Sequence, residues 1–185
     1  MSPSTQMTLS AAQVLREGKA AGSWTLDGSR TEIRLKSKSI WGLAPVNGVF
    51  HQVSGDGAVS PSGDVTGTIT VAARSIDTRH KQRDEHLRSA DFLDADSYPA
   101  ITFTVDKVTP AGDGLTVAGQ LSVRGRTRPV SFDVSVSRFD GGEAHVDGEL
   151  HVNRADFGLT WNRLGSASMN NTITVHAVFT GQSRE

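Results

Sequence analysis

From Trp24 onward the apolar residues fall on alternate positions, and this two-residue period is the strongest constraint on the fold. Successive side chains of a strand point to opposite faces. A run with apolar residues on one parity and polar residues on the other therefore has one buried face and one wet face. Val130, Phe132, Val134 and Val136 form the cleanest run, with Ser131, Asp133, Ser135 and Ser137 opposite. The pattern repeats in Ile33 and Leu35, in Ile69, Val71 and Ala73, and in Ile101, Phe103 and Val105. It continues through Leu115, Val117, Leu121 and Val123, then Val146, Leu150 and Val152, and ends on Ile173, Val175, Ala177 and Phe179. Ser62-Gly63-Asp64, Ala111 to Gly114 and Asp140-Gly141-Gly142 separate such runs as hairpin loops do.

About eight strands joined by hairpins make an antiparallel meander. Eight strands suit a closed barrel wide enough for one small ligand, and closure removes exposed sheet edges. A two-layer sandwich satisfies the same alternation, so periodicity leaves both open. Residues 74–98 break the pattern: they are charged, lack alternation, and suit a short helix from Lys81 to Ser89. A connection this long in a compact domain is often functional. Residues 1–22 form a separate N-terminal extension ahead of the 23–185 domain. There Ser10 and Gln13 make a capping box, and Ala11, Val14 and Leu15 share one face of a short helix. The expectation is a peripheral extension, with a plug or dimer arm as the sharper alternative.

Composition narrows the function. Nineteen basic against twenty acidic residues leave a net charge of −1, without the basic excess of a nucleic-acid-binding domain. The absence of cysteine removes disulfides, zinc-thiolate sites and cysteine nucleophiles. No apolar run is long enough for a transmembrane helix, and the first residues lack the basic and apolar regions of a secretory signal, so the expected location is cytoplasmic. No phosphate-binding loop, dinucleotide fingerprint or nucleophile elbow occurs. The inward parity is almost wholly apolar, whereas a catalytic pocket needs convergent polar groups, so no enzyme is expected. His145, His151 and His176 fall on the outward parity, away from any enclosed haem. No cofactor and no metal are expected. Arg34, Lys36 and Lys38, and Arg124, Arg126 and Arg128, read as solvated surface or as a positive rim for an anionic head group.

Three blocks together resemble the YceI-like family of polyisoprenoid- and lipid-binding proteins. They are Arg83 to Asp94 followed by Tyr98 to Phe103, Gly119 to Val130, and Arg154 to Trp161. Trp24 to Asp27 and Val46 to Phe50 add to the likeness, which covers roughly residues 23–182. The resemblance implies an all-β, eight-stranded antiparallel lipocalin-like barrel with a helix in the long connection and an elongated apolar cavity. It also implies an isoprenoid or fatty amphiphile as partner, transient membrane contact and a homodimer. Where many members carry a histidine at the end of the second strand, this chain has Ser39, and Asn170 and Asn171 replace a Gly-Asp pair.

Parity and resemblance together nominate the ligand-binding residues. Ile33, Leu35, Ile69, Val71, Ile101, Phe103, Leu121, Val123, Phe132 and Val134 point inward, with Ser37 and Ser39 continuing the second strand toward a polar tip. The motif blocks contribute His86, Leu87, Phe92, Phe157 and Trp161, and Trp41 is the aromatic candidate for an entrance. Each has a plainer reading. The inward residues would equally fill a solid core. Asp84 and His86 would tie the connecting helix to the wall, and Phe157 and Trp161 would pack at the barrel end. With a solid core, the chain would be a non-catalytic, stress-related interaction module; an enzyme acting on a lipid is the remaining alternative.

Overall fold

The computed structural model describes residues 9–39, 43–165 and 167–182. Its strands are β1 (Gly22–Leu26), β2 (Glu32–Ser39), β3 (Ala44–Phe50), β4 (Val53–Val59), β5 (Val65–Ala72), β6 (Ile76–Asp77), β7 (Ala100–Ala111), β8 (Gly114–Val123), β9 (Arg126–Phe139), β10 (Glu143–Asn153) and β11 (Asn170–Gln182). Two helices accompany them, α1 (Ala11–Arg16) and α2 (Lys81–Arg88). All pairings are antiparallel, and β11 closes the sheet by pairing with β10 on one edge and with β1 and β2 on the other. The result is a closed eight-stranded barrel. Three of its eight walls are bent, and each bend divides a wall into two segments: β1 with β2, β3 with β4, and β5 with β6.

The first bend is built from local chemistry. Asp27 accepts hydrogen bonds from the Ser29 amide (3.0 Å), the Ser29 hydroxyl (2.6 Å) and Arg30 Nε (2.8 Å). Thr31 Oγ1 then accepts the Val178 amide at 3.1 Å, pinning the corner to β11. At the β8–β9 hairpin, Arg124 and Gly125 both take positive φ, +50° and +70°. A two-residue loop of that hand matches the twist of its flanking strands.

Two β-bulges switch the inward parity along the walls. The β7–β8 register shifts between Val105 and Lys107, so the inward set passes from odd positions to Val108. The β9–β10 register shifts at His145 and Val146, which brings Phe139 inward after Val136. Simple alternation does not anticipate either switch.

The N-terminal helix has the expected capping box. The Ser10 side chain accepts the Gln13 amide, and the Gln13 side chain accepts the Ser10 amide at 2.9 Å. The helix is not peripheral. Ala12 is buried against Leu115 and Val134, and Val14 is buried with Ala20 and Trp24. An amphipathic face this short is unstable in water alone and gains its order from tertiary packing. The open end of the barrel supplies that packing, and α1 is seated there.

Candidate functional site

The barrel encloses a cavity of about 1130 Å³ that runs from α1 to α2. Its walls are apolar side chains from every wall of the barrel, among them Ile33 and Leu35 of β2, Ile69 and Val71 of β5, Ile101 and Phe103 of β7, Leu121 and Val123 of β8, and Phe132 and Val134 of β9. The core is therefore hollow rather than solid.

Two glycines shape the bore. A Cβ at Gly119 would lie 2.7 Å from the Phe103 ring and 2.2 Å from the Thr104 carbonyl oxygen. A Cβ at Gly148 would lie 3.2 Å from the Phe132 ring. The bare backbone lets both rings lie against the wall, where their centroids stand 5.6 Å apart.

One group of polar side chains lies at the α2 end: Ser37 and Ser39 reach the cavity from β2, Arg83 and His86 from α2, Arg154 and Ser168 from the segment between β10 and β11, and Asn171 from the start of β11. Asp56, Thr66 and Thr68 of β4 and β5, and Ser137 and Arg138 of β9, add polar groups elsewhere along the wall. The helix that carries Arg83 and His86 is tied down by Asp84. Its buried carboxylate accepts the Thr78 amide at 2.9 Å and the Thr78 hydroxyl at 2.5 Å. Arg83 closes the same network from the other side, donating from Nε to Thr78 Oγ1 at 2.8 Å and from Nη2 to the Thr78 carbonyl at 3.0 Å. His80 caps the helix, its Nδ1 accepting the Arg83 amide at 3.2 Å.

His86 sits in an aromatic corner. Its ring meets Phe92 at 5.1 Å and Trp161 at 4.5 Å, both edge-on, while Nε2 pairs with Asp91 at 3.0 Å. Phe92 packs with Phe157 and Leu159 in one buried cluster that also takes in Leu87.

Arg154 is the buried charge of the site, 8% exposed. It donates to the carbonyls of Ser168 (2.9 Å), Leu159 (2.7 Å) and Trp161 (2.8 Å), and its guanidinium lies 5.3 Å from the centre of the Phe92 ring. Among the described residues no carboxylate pairs with it at ion-pair distance. Burial without a counter-ion holds its pKa below the usual arginine value.

Every residue nominated from the sequence lines this cavity except Trp41, which lies outside the described residues. Asp84 does tie the connecting helix to the wall, while His86 both pairs with Asp91 and faces the bore. Arg154 and Arg83 were not nominated, although signals for both exist. Arg154 continues the inward parity of Leu150 and Val152, and Arg83 is three and four positions before His86 and Leu87, on one helical face.

The strand histidines lie on the outer wall. His176 pairs with Asp147 at 2.6 Å, His145 with Glu143 at 2.7 Å, and the two rings stand 5.6 Å apart. The His176 contact holds the Asp147 carboxyl below its ordinary pKa.

The family model of the YceI-like domain matches residues 24–180. Proteins named YceI from Salmonella arizonae and Salmonella newport are 36% identical over 114 residues, a stretch that spans 59% of this chain and 59% of each of those proteins. The chain thus matches less than two thirds of the length of these relatives. Among solved structures, Burkholderia cenocepacia BcnA superposes with a TM-score of 0.75 at 24% identity, over 83% of this chain and 98% of that one. A polyisoprenoid-binding domain from Saccharophagus degradans superposes with a TM-score of 0.69 at 16% identity, over 86% and 98%. At these identities the structural likeness concerns the fold.

Proposed function

The chain belongs to the YceI-like family, and we propose that it is a non-catalytic carrier that holds a long-chain isoprenoid or similar amphiphile reversibly in the barrel. The apolar tail occupies the bore and the polar head lies at the α2 end, near Ser37, Ser39, Arg83 and His86. One observation carries this reading: a predominantly apolar bore of about 1130 Å³ that carries Ser37, Ser39, Arg83 and His86 at its α2 end. That volume exceeds the roughly 300–1,000 Å³ of ordinary small-molecule pockets. Its length also suits a chain. A strand of 11 residues such as β10 rises about 36 Å, and a tilt of about 40° leaves roughly 28 Å along the barrel axis. The polyisoprenoid-binding neighbour supports the same ligand class.

Energetics favour exchange over permanent capture. Each methylene moved from water into the bore contributes about 0.8 kcal/mol. A tail taken from a bilayer is already in an apolar medium, so its transfer is nearly neutral. Shape and head-group contacts then decide loading, and transient contact with a membrane surface would be enough for transfer.

Native mass spectrometry of freshly purified protein, followed by organic extraction, tests the proposal. A stoichiometric prenyl or fatty species is the expected result. An empty protein that also refuses prenyl quinones and prenyl phosphates would overturn it in favour of a ligand-free interaction module. Val134→Trp should lower the lipid content while leaving the protein folded; unchanged content would count against placing the tail in this bore.

A further inference from the structure

The stretch that matches the family begins at residue 24, so α1 lies outside it. Yet α1 forms the floor of the bore. Leu9, Ala11, Val14 and Leu15 line the cavity at the end opposite α2. The helix is seated inside the rim rather than laid over it. Its residues share two apolar clusters with side chains of β1, β4, β7, β8, β9, β10 and β11, which are walls on all sides. The β4–β5 turn completes the ring: a Cβ at Gly63 would lie 2.7 Å from the Leu15 carbonyl oxygen, and one at Gly18 would lie 3.0 Å from the Pro61 carbonyl oxygen. Just after the helix, Trp24 Nε1 donates to the Ala20 carbonyl at 2.7 Å and fixes the return of the chain into β1.

We infer that α1 is the chain-length stop of this barrel, and that Ala11 and Leu15 set the longest apolar tail it accepts. This inference rests on the reading of the bore as a tail-binding site. A tail that enters head-last from the α2 end advances until it meets the apolar residues of α1. Every methylene short of the floor gains burial, and every methylene beyond it stays outside or forces the floor to move. Ala11 and Leu15 are four residues apart, hence stacked on one helical face. Ala11 is the small member and Leu15 the large one, so one position has room to raise the floor and the other to lower it.

The test uses the full chain and a series of linear prenyl alcohols of increasing length, with occupancy read by native mass spectrometry and affinity by calorimetry. In the wild type, affinity should rise with length, up to about fourfold per added methylene, which is the water-to-apolar transfer of about 0.8 kcal/mol, and then stop rising at one length. Ala11→Trp should move that break to shorter prenols, and Leu15→Ala should move it to longer ones, with the shortest prenols bound equally by all three proteins. Glu17→Ala, just past the helix end on its exposed side, should leave the break in place. Circular dichroism and thermal melts establish that each variant is folded. Wild-type binding with one shared break in all variants would overturn the assignment of α1 and leave the tail-binding reading intact. No binding of any prenol by the wild type, alongside an empty protein as purified, would overturn both.

Discussion

Arg154 at one end of the barrel and Val14 at the other both line the bore, and they are held by different physics. At the α2 end order rests on hydrogen bonds to charged groups: Arg154 gathers three carbonyls within 2.9 Å, and Asp84 holds the buried Thr78. At the α1 end order comes from apolar contact among Ala12, Val14, Leu15 and the inward residues of the strands, under a capped single turn and a half of helix. Directional bonds fix one geometry and fail when a partner is lost. Apolar contact tolerates a change of shape, provided that volume is roughly conserved. On the proposed carrier role, the α2 end would suit a defined head, and the α1 end would suit an adjustable length.

Substitutions should separate the two ends by magnitude. The largest effect is expected for Arg154→Ala, which strands several buried carbonyls at once; a loss of about 3 kcal/mol or more should appear in urea denaturation. A loss below about 1 kcal/mol would mean that water replaces the guanidinium and that the α2 end is less dependent on bonding than its geometry implies. Asp84→Ala should cost about 2 kcal/mol, because the Thr78 amide and hydroxyl lose their acceptor in a buried site. At the α1 end, Ser10→Ala removes one cap and should cost about 1 kcal/mol at most, chiefly as local opening. Hydrogen exchange sharpens the point. The Val14 and Glu17 amides of α1 should exchange through smaller openings than the Asp84 amide of α2, and equal protection would erase the contrast.

The smallest effect lies between the ends, at the β1–β2 corner. Hydrogen bonding from the Ser29 hydroxyl, then from Arg30, lowers the Asp27 pKa to about 2 from 3.8. A carboxyl whose folded pKa is depressed stabilises the fold fully above its unfolded value, and that contribution is lost as the pH falls through the folded one. Melting temperatures of the wild type and Asp27→Asn should therefore differ slightly near neutrality and converge between about pH 4 and pH 2. A constant gap down to pH 2 would assign the effect to packing instead of charge.

Much of the bore was legible because a strand can hide only one parity. Ile33, Leu35, Phe103 and Val134 needed no knowledge of their neighbours to be placed inward. The bulges were not legible, since the extra residue in β7 or β9 is specified by pairing with another strand and leaves no mark in its own run. Arginine as a residue type belongs on surfaces, yet the parity of Arg154 continues that of Leu150 and Val152 inward, and parity is the better guide. The role of α1 was hidden for a different reason. Ala11, Val14 and Leu15 define an apolar face, but which surface that face covers depends on the open barrel end, which exists only once seven other strands have assembled.

The closure made by β11 also dictates an order of events during synthesis. Thr180 donates to the carbonyl of Thr25 across 155 residues, so the edges of β1 and β2 have no complete partner until the last strand emerges. Until then a nascent chain carries an open sheet with unpaired edges and an exposed apolar concave face, a hazard for wrong pairing. Contacts this distant in sequence also place the molecule among the slower-folding β topologies. Pairing of β11 with β1 and β2 is the event that turns this sheet into a container.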